Sequence, residues 1–131
     1  MMTKKISLIF IAAALATSAL PLFAASPGQV QRGVASYYHD SLHGNKTASG
    51  QVYDKTKLSA AHKSLPLGSK VRVTDLRTGK SIVVRVNDRG PFVKGRIIDL
   101  SRRAATELGM LKRGVTRVKL EVLSVPGRSG A

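Results

Sequence analysis

Few residues in this chain could do chemistry, and most familiar catalytic arrangements are missing. There is no cysteine, which excludes a thiol nucleophile, a thiolate metal site and any disulfide. No Gly-x-Ser-x-Gly elbow, phosphate-cradling loop or dinucleotide fingerprint occurs, and no cofactor is expected. Three histidines remain for metal or proton chemistry. His39 and His43 are four apart, which would suit one face of a helix, but the Gly, Ser and Asn around them read as a loop. No carboxylate-rich helix stands beside them, so no metal site is expected. Among the few acids, Asp88 lies in Asn87-Asp88-Arg89-Gly90-Pro91, which ends a strand abruptly. Taken alone, an Asp in that setting reads as a turn cap. Gln51 closes a polar loop; its amide can donate and accept hydrogen bonds but cannot titrate.

These residues need elements to position them. Residues 39–51 (HDSLHGNKTASGQ) show no apolar period and form a long loop, a kind of segment that is more often functional than not. Strands are expected on either side of it, at Val34–Tyr38 and Leu58–His62. The clearest element is a hairpin. Ser69–Leu76 puts Val71 and Val73 on one face, Arg77-Thr78-Gly79 turns the chain, and Ser81–Val86 puts Ile82, Val84 and Val86 on one face. Arg96–Leu100 is a further strand. Ser101 is placed to cap a helix over Arg102–Leu108 that Gly109 stops, with Asp99 expected to help at the cap. Val115–Leu123 closes the domain with Val118, Leu120 and Val122 on one face. Six short strands and one short helix predict an all-β barrel with the helix packed on it. The chain shows no internal repeat and no second domain.

The start of the chain has a different character. Lys4 and Lys5 precede an apolar run from Ile6 to Leu20, followed by Pro21 and the small residues Ala24, Ala25 and Ser26. That order reads as a cleaved signal peptide over 1–24, the apolar run falling short of the roughly 20 residues a spanning helix needs. A short leader over 25–31, one domain over 32–123 and a flexible tail over 124–131 are expected to follow. Removing 24 residues from 131 leaves 107, enough for one modest core. Losing two lysines takes the formal charge from +15 to +13, which points to a polyanionic partner. Export makes nucleic acid the poorest candidate for that partner. With no cysteine to carry a lipid, a monomer without membrane anchor, soluble in the periplasm or outside the cell, is expected.

Longer motifs run through the chain. Gly33-Val34-Ala35-Ser36-Tyr37-Tyr38 comes first, then His43-Gly44 and Thr47-Ala48-Ser49-Gly50-Gln51. Ala60-Ala61-His62 with Leu65-Pro66-Leu67-Gly68 lies in the middle. Val86-Asn87-Asp88-Arg89-Gly90-Pro91-Phe92, Gly95-Arg96 and Ile98-Asp99-Leu100-Ser101 follow. In this order and spacing, over about residues 32–123, the chain resembles the rare lipoprotein A (RlpA) family. The resemblance implies a six-stranded double-psi β-barrel that binds peptidoglycan glycan strands. It also implies lytic transglycosylase activity within those strands. The bond between N-acetylmuramic acid and N-acetylglucosamine is cleaved without water, and the sugar's own C6 hydroxyl attacks C1 to leave a 1,6-anhydro end. That reaction needs an acid for the leaving oxygen and a base for the C6 proton. One carboxyl group can serve as both in turn, unlike the carboxylate pair of ordinary glycosidases.

Asp88 matches the family's acid, whereas the position of the family's catalytic glutamate is occupied by Gln51. Around them Tyr38, His43, Thr47, His62 and Arg89 are expected to contact the glycan, Tyr38 by presenting an exposed ring to a sugar. Arg85, Arg89 and Arg96 are close to Asp88 in sequence, and any that approached it would work against its role as an acid. The missing carboxyl group at Gln51 opens a rival reading, a non-catalytic wall-binding module similar to the expansins. A further rival is a small secreted inhibitor that binds a protein partner and no glycan.

Overall fold

The computed structural model describes residues 25–127. The expected signal segment 1–24 and residues 128–131 lie outside them. Six strands and one α-helix follow one another: β1 Val30–Tyr37, β2 Ser59–His62, β3 Lys70–Asp75, β4 Ser81–Asp88, β5 Arg96–Leu100, α1 Arg102–Leu108 and β6 Thr116–Ser124. A single 3-10 turn, Asp40–Leu42, interrupts the long loop after β1.

The strands close into a barrel in the order β1-β5-β2-β4-β3-β6. β1 runs parallel to β5 and β2 parallel to β4, while the other neighbours are antiparallel. Closure leaves no unpaired edge for another chain to extend. The interior is filled by short branched side chains. Val71 and Val73 of β3, Val84 and Val86 of β4, Ile98 and Leu100 of β5, and Val118 and Leu120 of β6 are all buried. Their period of two follows from the pleat, which sends alternate side chains to opposite faces. Ala35 and Ala60 are buried small residues, and Gly33 lies so close to Ile97 that a methyl group there would stand 2.7 Å from its Cγ2.

Both ends of the domain reach further than the sequence suggests. β1 begins at Val30 because residues 30 to 34 pair with β6 from Glu121 to Arg117. The leader is tied on as well: Ala25 is buried, Gly28 N–H donates to Val122 O, and Val122 N–H donates to Gln29 O. The expected flexible tail is corrected at its start. Ser124 pairs with Lys70 and Val125 is buried in the core, so these two residues belong to the barrel.

The helix has the expected bounds. Ser101 Oγ accepts from Ala104 N–H, and Gly109 ends the helix with φ 79°. Ala104, Ala105 and Leu108 are buried against the barrel. Asp99 does not share the cap. It sits in β5 opposite Ala61, where it accepts from Ser36 Oγ and pairs with Arg96 at 3.0 Å. Strand alternation turns its side chain away from the helix start.

At the β3–β4 turn, Asp75 is fully buried. It accepts from Arg113 Nη2 at 2.7 Å, Arg77 N–H at 2.8 Å and Thr116 Oγ1 at 3.2 Å. Burial alone would raise its proton affinity, but these donors together hold it below the ordinary carboxylate value. Asp75→Ala would strand a partly buried guanidinium and two further donors, so we expect a loss of about 3 kcal/mol in urea unfolding. A loss under about 0.5 kcal/mol would show that the cluster contributes little to stability.

Candidate active site

Asp88 stands at the end of β4, where the pairing with β2 slips. Ala60 pairs with Val86 and Ala61 with Asp88, so Asn87 is passed over. A slip of this kind breaks the alternation and re-aims the side chains beside it. The Asp88 carboxyl group is then held by three donors from three places. Its Oδ1 accepts from Ala48 N–H at 2.8 Å and Arg89 N–H at 2.9 Å, and its Oδ2 accepts from the Tyr38 hydroxyl. None of the three nearby arginines forms an ion pair with it. Arg96 pairs with Asp99, the Arg85 guanidinium donates to Gly68 O at 3.4 Å, and the Arg89 guanidinium donates to His62 O and Leu65 O at 3.2 and 2.7 Å.

The long loop is pinned by a residue the sequence reading passed over. Tyr53 is 1% exposed and meets the Tyr38 ring edge-on, with centroids 4.4 Å apart. Its backbone holds Gly44 and Asn45, and its hydroxyl accepts from Arg102 N–H at the start of α1. That anchor lets the turn over 47–51 rest on the end of β4, with Ser49 N–H donating to Asn87 O. Gln51 Oε1 accepts from Asn87 Nδ2 at 3.3 Å. A groove of about 630 Å³ opens there, lined among others by His43, Gln51, Tyr53, Lys57, Arg85 and Asn87. It shares Gln51, Arg85 and Asn87 with a shallower hollow toward Gly68. Asp88 lines neither; the turn that carries Gln51 into the groove also supplies the Ala48 N–H that holds Asp88.

The other expected contacts divide. His43 lines the groove, its Nδ1 accepting from Lys55 N–H. Thr47 is spent on the turn itself, its Oγ1 donating to Gln51 O at 2.7 Å. The exposed ring expected of Tyr38 is corrected: Tyr38 is 8% exposed, because its ring is needed against Tyr53, and only the hydroxyl reaches the site. Burial, then the bond to Asp88, raises the Tyr38 pKa, so this hydroxyl remains a donor. Tyr37 is partly buried and donates to Leu111 O at 3.0 Å. Arg89 points away from the groove to the two carbonyls named above. His62 is buried and lines a separate cavity of about 220 Å³ with Gln31, Leu65 and Leu120. Phe92, which the sequence placed in a motif but in no site role, is an exposed ring just beyond Asp88. Among the described residues no three His, Cys, Asp or Glu side chains gather as a metal site would need, and no helix is long and apolar enough to cross a membrane.

The model of the family described as lytic transglycolase matches residues 30–120, the whole span of the barrel but its last strand end. The chain belongs to this lytic transglycolase family. Its similar relatives include the endolytic peptidoglycan transglycosylase RlpA of Pasteurella multocida, 54% identical over 75% of this chain and 33% of that protein. The namesake of Vibrio cholerae is 50% identical over 75% of this chain and 37% of its own length. The chain thus spans about a third of the length of these lytic transglycolase relatives. Among solved structures, the Streptomyces papain inhibitor matches with TM-score 0.63 at 28% identity, over 75% of this chain and 97% of the inhibitor. A Clavibacter michiganensis expansin matches with TM-score 0.58 at 21% identity, over 76% of this chain and 53% of the expansin. The family and these folds make the closed barrel a double-psi β-barrel.

His62 gives the barrel a pH-dependent stability. Its Nδ1 accepts from Ser64 and Leu65 N–H, and its Nε2 lies 2.9 Å from Gln31 Oε1. Burial, reinforced by the Arg89 and Lys63 charges, pushes its pKa down to about 4 from the ordinary 6.5. The fold therefore favours the neutral ring, while the unfolded chain takes up a proton first. The contribution to stability is full above pH 6.5 and is lost as pH falls toward 4, by about 2–3 kcal/mol. Urea unfolding at pH 7, 5.5 and 4 should show this loss, and His62→Gln should flatten it. A wild-type profile flat across that window would contradict the assignment.

Proposed function

We propose that this chain is an exported lytic transglycosylase that cuts within peptidoglycan glycan strands, with Asp88 as its acid and then its base. The observation that carries the reading is the set of bonds on Asp88. Oδ1 already accepts two N–H groups, whereas Oδ2 accepts one hydroxyl and keeps one acceptor position free. Oδ2 is thus the oxygen available to substrate. In the first step its proton passes to the oxygen leaving C1 of N-acetylmuramic acid as the C1–O bond breaks. In the second, the C6 hydroxyl of the same sugar bonds to C1 and its proton returns to Oδ2. The products are a 1,6-anhydro end and a free 4-hydroxyl on the partner strand, and no water is consumed. Tyr38, Ala48 and Arg89 fix the carboxyl orientation, a positioning effect on which such proton transfers depend. Gln51 and His43 line the groove beside it and would hold sugar hydroxyl and amide groups. The names of the chain's relatives support the reaction, and the formal charge of +13 that remains once residues 1–24 are removed supports attraction to an anionic wall.

One observation favours a second reading. Gln51 cannot transfer a proton, so the chain could be a glycan-binding module that kept its groove and lost its reaction. Incubation of the protein with peptide-free glycan strands, followed by mass spectrometry for 1,6-anhydro ends, separates the two. We expect anhydro products from the wild type and none from Asp88→Asn, whose melting temperature should be little changed. Unaltered cleavage by Asp88→Asn would remove Asp88 from the mechanism. Gln51→Glu preserves side-chain volume and restores a titratable group, so cleavage should rise by up to about 10²–10⁴-fold. Product from Gln51→Glu but none from the wild type would make the native chain a binding module.

A further inference from the structure

We propose that Phe92 forms a stacking subsite for a pyranose ring of the glycan strand, close to Asp88; the inference rests on the glycan-acting reading above. Phe92 is the single phenylalanine of the described residues and is 81% exposed, against 54% for Val52, the next most exposed large apolar side chain. One exposed apolar residue is ordinary on a protein surface. Here, however, Leu42, Val52, Phe92 and Val93 make up half of the exposed large apolar residues, and all lie on the two loops that frame the site. The first two belong to the loop that carries Gln51, and the last two to the loop that leaves β4 at Asp88.

The Phe92 loop has a fixed base. The Arg89 guanidinium bonds to His62 O and Leu65 O, Pro91 is buried, and Arg96 N–H donates to Val93 O at 3.0 Å. The ring rests against Gly90, where an added methyl group would stand 3.5 Å from its Cε2. It therefore presents an apolar plate to solvent at low entropic cost, since a phenyl ring has only two torsions to order. The face of an aromatic ring is electron-rich and attracts the polarised C–H groups on the apolar face of a sugar. Phe92 lies four positions after Asp88, at most about 14 Å of chain, so a strand bound over the ring can also lie at the carboxyl group. This supplies the aromatic contact that Tyr38, buried against Tyr53, cannot make.

The test is calorimetric titration of peptide-free glycan fragments into Asp88→Asn protein, which prevents turnover, with Phe92 intact or replaced. Phe92→Ala should weaken binding about 3–10-fold, the range for one aromatic contact. Phe92→Leu, which keeps apolar bulk without a ring, should fall with Ala, and Phe92→Trp should bind at least as well as the parent. Melting temperatures should agree across the set, because the ring is exposed. Equal affinity for the parent and Phe92→Ala would overturn the subsite while leaving the role of Asp88 standing. Affinity in Phe92→Leu equal to the parent would replace stacking by simple apolar contact and would also overturn it. No binding by the parent would overturn both this inference and the glycan-acting reading.

Discussion

The open end of this barrel hangs on one carboxyl group. Asp88 accepts from Tyr38 at the end of β1, from Ala48 in the long loop and from Arg89 in its own loop. Without it, three donors from three segments would lose a partner; the two in partly buried bonds, the Tyr38 hydroxyl and the Arg89 N–H, would each cost about 1 kcal/mol, while the Ala48 N–H could turn to water. The group best placed for chemistry is thus also the clasp that holds the site together. This dual use explains how a site can be built on loops and still be ordered. The loops are joined to each other through the residue they serve.

Barrel topology explains why those loops are long. Parallel neighbours cannot be joined by a tight turn, since the chain must return to the same end before pairing again. β1 pairs in parallel with β5, and β2 with β4, so the connections run far across the barrel ends. The stretch from Tyr38 to Leu58 joins β1 to β2, which are not neighbours: β5 lies between them, and the chain must cross its end. It would be free to wander if Tyr53 did not bury its ring against Tyr38 and reach the start of α1. Chemistry, loop order and helix position are therefore coupled through two tyrosines, one donating to the carboxyl group and the other locating the loop.

Charge acts at a different level. The arginines nearest Asp88 in sequence are all engaged elsewhere, with carbonyl groups or with Asp99. Lys57 and Arg85 stand on the groove wall instead. The strong positive balance is thereby kept on the surface, where it can draw in an anionic polymer with a salt-dependent, non-directional attraction. At the same time the carboxyl group keeps an environment made of backbone N–H groups and one hydroxyl.

Much of the architecture was legible in the sequence. Alternating valines marked β3, β4 and β6, and Ser101 and Gly109 marked both ends of α1, because pleat and cap chemistry are local. The abrupt stop after Val86 placed Asp88 at a strand end, and family resemblance placed it in a site. Alternation says which residues share a face but not which face is covered. Tyr38 was therefore the ring expected to meet a sugar, until the packing of Tyr53 decided against it. His62 sits in a motif with site residues, yet closure of β2 against β4 and β5 turns it into another cavity. Phe92 carried no periodic signal, and only the folded loop leaves its ring in water. Local sequence thus determined the elements and the candidate carboxyl group. Tertiary structure alone decided what surrounds that group, since closure of the barrel brings together residues far apart in the chain, as Tyr38 and Asp88 are at 50 positions.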